Sequence, residues 1–176
     1  MIELVYNIFY ANSLENTIVL MGFLVFLWCV LNKCMCKMFL VEDIWKIFNG
    51  VFSGTIILGI VTLTVLSRTI ELSDVQYIPF ISFLEAQYQP EIYRSMFMNV
   101  FLFFPMGLTL PYALPEKWNR KAFITILCSM TLSIIIEYLQ YHYHLGRAET
   151  DDVLCNTLGA IIGTLSYTLS RKFNRK

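Results

Sequence analysis

Five apolar stretches, each close to the length that crosses a bilayer, limit what this chain can fold into more than any other feature. They lie at about 16–31 (NTIVLMGFLVFLWCVL), 50–67 (GVFSGTIILGIVTLTVLS), 96–114 (MFMNVFLFFPMGLTLPYAL), 122–141 (AFITILCSMTLSIIIEYLQY) and 153–170 (VLCNTLGAIIGTLSYTLS). About 20 mostly apolar helical residues match the hydrocarbon core, and a helix satisfies its own backbone there without water. Of the 176 residues, 57% are hydrophobic and 15% charged, with a mean hydropathy of +0.60. A soluble domain runs at roughly 45–50% and about 25%. The expected architecture is all-α: a polytopic membrane helical bundle of about five transmembrane helices. It divides into an N-terminal span and its cytoplasmic connection (1–49), a membrane domain (50–170) and a basic cytoplasmic tail (171–176). Glu3 and Glu15, with no Lys or Arg ahead of the first run, do not make a cleavable secretory signal, so that span is expected to be retained.

The 13 basic residues are sorted rather than mixed. Ten fall in 32–49 (Lys33, Lys37, Lys46), 115–121 (Lys117, Arg120, Lys121) and 171–176 (Arg171, Lys172, Arg175, Lys176), against three elsewhere (Arg68, Arg94, Arg147). Basic loops stay on the cytoplasmic side, which predicts a multi-pass protein of the cell membrane with its N-terminus outside and its C-terminus in the cytoplasm. A first run lying on the surface would leave the other assignments unchanged. The 68–95 segment then faces outward. Pro79 and Pro90 interrupt it, and Tyr77, Phe80, Phe83, Tyr88 and Tyr93 alternate with Glu71, Asp74, Glu85 and Glu91. Amphipathic rings among charges suit the headgroup layer, so an interfacial or re-entrant element is expected there.

The five cysteines form no disulfide framework. Cys29, Cys128 and Cys155 lie in apolar runs as small buried residues, and Cys34 and Cys36 are too close in sequence to pair. Outside the membrane flanks nothing is basic enough for nucleic acid. No phosphate loop, HExxH or GxSxG is present, and His142 and His144 make a weak metal pair. No cofactor and no metal are expected.

Polar groups embedded in span ends are expensive and by default mark a site. Asn99 lies near the start of the third span, Glu137 and Gln140 near the end of the fourth, and Asp152 and Asn156 at the start of the fifth, with Arg147 and Asp151 in the loop between the last two. In a helix continued through Tyr143, Ser133, Glu137, Gln140 and His144 would share one face. The plainer role for such a stripe is interhelical hydrogen bonding, although a carboxylate near hydrocarbon still needs a partner or a proton. Asp152 also suits an N-cap. Gly159 and Gly163, four apart, permit close helix approach, and Pro105-Met106-Gly107 predicts a kink or an opened backbone. The candidate ligand-binding set is Asn99, Glu137, Gln140, Arg147, Asp151, Asp152 and Asn156. Glu137 and Asp152 are the candidates for any acid/base role, and no nucleophile stands out beside them.

Three ordered segments, Asn99 to Gly107 (NVFLFFPMG), Glu137-Tyr138-Leu139-Gln140 and Asp152 to Gly159 (DVLCNTLG), resemble the VanZ-like family of membrane proteins over about residues 50–170. The resemblance implies a small polytopic protein of the cell envelope, and the family's namesake is associated with resistance to teicoplanin, a lipid-tailed glycopeptide. It implies as partners a membrane lipid, a lipid-linked cell-wall precursor or the lipoglycopeptide itself, met at the outer leaflet. Two places depart from the family pattern. Gln76-Tyr77-Ile78-Pro79-Phe80 carries Gln where relatives often have Asn, and Glu149 stands where many have Asp, in a loop about one residue shorter. Both lie where ligand discrimination is expected. Two other readings remain open: a membrane-embedded hydrolase or transferase, and a structural partner subunit.

Overall fold

The structure is a computed structural model that describes residues 30, 42–70, 74–115 and 120–174. The expected first span, 16–31, lies almost wholly outside the described residues. The described chain runs α1 (Glu42–Val61), a π-helical extension (Thr62–Leu66), β1 (Val75–Gln76), α2 (Ile81–Glu85), α3 (Pro90–Ala113), α4 (Lys121–His142), β2 (Ala148–Glu149) and α5 (Thr150–Asn174). Four helical stretches are long and apolar enough to cross a membrane: Ile44–Leu66, Glu91–Ala113, Lys121–His142 and Thr150–Lys172. The protein is an all-α membrane bundle.

Burial separates these spans into an inner and an outer pair. Half of the apolar window is buried in the α3 and α5 spans, against 17% for α1 and 22% for α4. Thus α3 and α5 form the centre, α1 lies on α3, and α4 lies on α5 and α3. Small residues explain the inner contact. A Cβ on Gly107 would run into the Ala160 backbone, one on Gly159 into the Val100 carbonyl, and one on Gly163 into the Phe104 carbonyl and Leu108 nitrogen. Lipid offers apolar side chains no water to escape, so helices here associate by close backbone packing. The outer helices are held by an apolar knot of Ile60, Phe103, Met106 and Ile136, contributed by α1, α3 and α4.

The two prolines inside α3, Pro105 and Pro111, are absorbed without ending the helix. Pro111 has no N–H to give the carbonyl four residues back, that of Gly107. Thr164 of α5 compensates in part: its hydroxyl donates to the Ala160 carbonyl at 2.7 Å and lies 3.3 Å from the Gly107 carbonyl. Nearby, the Ser53 hydroxyl of α1 donates to Thr109 (2.8 Å), whose own hydroxyl donates to the Pro105 carbonyl (2.9 Å). The proline segment therefore becomes a seam of hydrogen bonds between helices.

Cys155 is buried as expected, whereas Cys128 is exposed. Residue 128 falls on the outward side of α4, whose buried side is the line Thr125, Ser129 and Ser133.

Candidate functional site

The C-terminal ends of α1 and α4 meet the N-terminal ends of α3 and α5 at one end of the bundle. The turn that closes α4 sets the geometry. His144 and Gly146 take positive φ (55° and 112°), the Leu145 N–H donates to the Gln140 carbonyl (2.8 Å), and the His144 N–H reaches the Tyr141 carbonyl (3.4 Å). This is a Schellman closure with His144 in the left-handed position glycine usually takes. It corrects the expectation that His144 continues the stripe of Ser133, Glu137 and Gln140: α4 ends at His142, and His144 is exposed. A side chain at Gly146 would crowd the Arg68 guanidinium, which donates to the Leu145 carbonyl at 3.4 Å.

Beyond the turn the chain extends for two residues and pairs in parallel with β1, Val75 opposite Ala148 and Gln76 opposite Glu149. The two departures from the family pattern are thus one place in space. α5 begins at Thr150, so Asp152 is in the first turn and is not the cap. Asp151, 1% exposed, points back to the 74–85 segment, where its two carboxylate oxygens accept the N–H groups of Phe80 (2.6 Å) and Ser82 (2.9 Å). Those N–H groups open α2 and have no intrahelical acceptor, so Asp151 caps α2 from 69 residues away or more. The Thr150 hydroxyl adds contacts to the Gln76 and Tyr77 carbonyls (3.2 and 3.4 Å), and Ser82 donates to Glu149 (3.0 Å). The 74–85 segment is pinned to the bundle by polar groups on β2 and the first turn of α5.

Inside this frame the remaining polar groups take separate tasks. Glu137, 9% exposed, accepts the Glu149 N–H at 2.9 Å and lies near enough to Asp152 and Arg68 to interact with both. Gln140 donates to the Thr64 carbonyl at 3.0 Å, in the last turn of the π-helical stretch, where carbonyls have no intrahelical donor. Asn156 lies deeper and donates to the Ser133 hydroxyl at 2.8 Å. Asn99 faces Asp152, with its amide nitrogen buried and not fully hydrogen-bonded.

A cleft of about 480 Å³ opens between α2, the start of α3 and the β2–α5 junction. Ser82, Glu85, Tyr88, Gln89, Ile92, Ser95, Met96, Arg147, Glu149 and Asp152 line it. Of the seven candidates read from sequence, Arg147 and Asp152 face the cleft, Asn99 and Glu137 stand behind Asp152, and Asp151, Gln140 and Asn156 serve neighbouring helices or the 74–85 segment. Sequence reading did not select Glu85, Ser82, Gln89 and Ser95. Glu85 was legible as a carboxylate among the aromatics of 68–95, but nothing local shows that it meets Arg147 (3.8 Å), which also lies 3.6 Å from Glu149. Among the described residues, no group of three or more His, Cys, Asp or Glu is arranged to hold a metal ion.

Four apolar helices closed at one end by a loop-capped cleft define a polytopic membrane protein. The family model VanZ/LLP1 matches residues 54–171, well over half of the chain, and the chain belongs to that family. Protein VanZ of Enterococcus faecium is 34% identical over 80 residues, covering 46% of this chain and 48% of that protein. The chain therefore aligns with about half the length of that relative. No solved structure matches.

Proposed function

We propose that this protein lowers sensitivity to lipid-tailed glycopeptide antibiotics of the teicoplanin kind by binding an amphiphilic molecule at the outer face of the cell membrane. The observation that carries this reading is the cleft of about 480 Å³, whose lining mixes carboxylates, Arg147 and hydroxyls with Tyr88, Ile92 and Met96, together with the exposed apolar residues Tyr77, Ile78, Phe80 and Leu84 on the segment that leads into it. A headgroup fits the cleft's charged groups and an acyl tail the apolar residues beside them. The bias of Lys and Arg toward alternate segments supports an outward-facing cleft and a cytoplasmic C-terminus. Family membership supports the antibiotic class. Binding rather than covalent chemistry is favoured because Glu137 does not line the cleft and is spent on the Glu149 backbone. The proximity of Glu137 and Asp152 is what favours the alternative of a hydrolase or transferase with one of them as acid or base.

Paired susceptibility to teicoplanin and vancomycin tests this, in a Gram-positive host expressing wild type, Glu137→Gln or Asp152→Ala at matched membrane levels. Protection selective for teicoplanin, kept by Glu137→Gln and lost by Asp152→Ala, is the expected outcome. A Gln side chain still accepts the Glu149 N–H but cannot relay a proton, so loss of protection in Glu137→Gln would favour the enzymatic reading. Absence of protection by the wild type would remove the antibiotic from the function.

A further inference from the structure

The cleft is unbalanced in charge, and the imbalance selects among amphiphiles. Three carboxyl groups line it, from Glu85, Glu149 and Asp152, against the single guanidinium of Arg147. Arg147 offsets one of the three and leaves carboxylates in excess. Its contacts to Glu85 and Glu149, at 3.8 and 3.6 Å, are longer than hydrogen bonds, and its buried Nε has no hydrogen-bond partner. Arg68 lies outside the lining, on the Leu145 carbonyl, and acts on Glu137 and Asp152 from there. Among the described residues at this end of the bundle, Asp74, Glu85, Glu91, Glu137, Glu149, Asp151 and Asp152 outnumber Arg68, Arg94 and Arg147, and Asp151 has both carboxylate oxygens occupied by backbone donors.

A pyrophosphate-linked precursor would bring several negative charges to a lining whose one cation among the described residues, Arg147, is already paired with Glu85 and Glu149. An ammonium group brings three donors and no acceptor, which matches three convergent carboxyl groups. Resting on the reading of the cleft as the binding site, we propose that it takes a headgroup bearing a primary amine, with an adjacent phosphate or carboxylate falling to Arg147. The tail of such a molecule lies over Tyr77, Ile78, Phe80, Leu84 and Tyr88, all exposed. The amine can belong to a native aminophospholipid or to an amine-bearing antibiotic, and the two sources share one recognition chemistry.

Calorimetric titration of the purified full chain in phosphatidylcholine nanodiscs tests the proposal. The probes are dihexanoyl phosphatidylethanolamine, its N-acetylated form, dihexanoyl phosphatidic acid and teicoplanin. The amine-bearing lipid is expected to bind about tenfold or more tightly than its N-acetylated form, the scale of one charge-assisted contact. Glu85→Gln should reduce that preference severalfold, and it is a safe substitution because Glu85 makes only a long, half-exposed ion pair. Equal binding of the N-acetylated form, or tighter binding of phosphatidic acid, overturns the proposal. Displacement of the lipid by teicoplanin makes the antibiotic an occupant, and its failure to displace leaves the lipid as the source of the amine. Amine preference in a protein that gives no protection in cells would refute the antibiotic reading alone. Protection without amine preference would refute this inference alone.

Discussion

Helix α5 is held in two different ways on its two sides, and the contrast organises the molecule. Toward α3 it presents Gly159, Ala160 and Gly163, and the two backbones touch with no side chain between them. Toward α4 and the 74–85 segment it presents Asp151 and Asn156, and contact is made through hydrogen bonds of 2.6–2.9 Å from Phe80, Ser82 and to Ser133. Shape decides the first side and donor–acceptor pairing the second. In a solvent of hydrocarbon, shape tolerates no added atom, whereas a single hydrogen bond between helices contributes little. The two sides should therefore fail by different amounts and in different places.

Gly159→Val is the largest expected effect. Its side chain would have to occupy the position of the Val100 carbonyl, and neither backbone can yield without separating α3 from α5. Overpacking costs about 1–3 kcal/mol where side chains can shift, and here the obstacle is backbone, so the upper end applies. Thermal unfolding of purified protein in detergent should show loss of most folded material. A stability within error of wild type would mean that the glycines are not what joins the inner pair.

Asp151→Ala should do less to the bundle and more to its cap. It leaves the Phe80 and Ser82 N–H groups without acceptors, at about 1–3 kcal/mol for each donor left buried. Solvent can relieve part of that cost if the 74–85 segment lifts. Hydrogen exchange should speed at Phe80 and Ser82 while α3 and α5 amides such as Phe104 and Ala160 keep their protection. Uniform acceleration across the bundle would show that cap and core are one cooperative unit, and the distinction drawn between the two sides of α5 would fall.

The same contrast explains what could be read in the sequence. Spans announce themselves by continuous apolar runs, so 122–141 anticipates Lys121–His142 closely. α3 begins at Pro90, earlier than the apolar run at 96, because a proline at the first helical position breaks nothing and Glu91, Arg94 and Ser95 mark a turn emerging from hydrocarbon. The small-residue pair Gly159 and Gly163 was legible as a close approach, since glycine spacing is a local signal. The cap was not. The β1–β2 pairing involves two residues on each side, drawn from distant parts of the chain, and neither pair has a period to detect. Asp151 and Asp152 are adjacent and chemically alike, yet one faces the α2 backbone and the other the cleft, a division set by the 100° turn between consecutive helical residues. Gln76 and Glu149 each departed from the family pattern separately. Only the strand register makes them partners.

The smallest effect sharpens the comparison most, because it measures the polar side in isolation. Asn156 and Ser133 form a single buried hydrogen bond between α5 and α4, 2.8 Å long, with the Asn156 carbonyl oxygen left unpartnered. Each Ala substitution by itself mixes three things: the lost bond, the space vacated and the orphaned group on the partner. A double-mutant cycle of Ser133→Ala and Asn156→Ala removes the latter two and reports the coupling. Measured pairs of this kind in membrane proteins average about 0.6 kcal/mol, and a value near that is expected. It would mean that the α4–α5 contact rests on many weak bonds, so that α4 can shift relative to α5 without unfolding the inner pair. A coupling of several kcal/mol would instead make Asn156 as decisive for α4 as Gly159 is for α3, and the two sides of α5 would be equivalent in strength though not in chemistry.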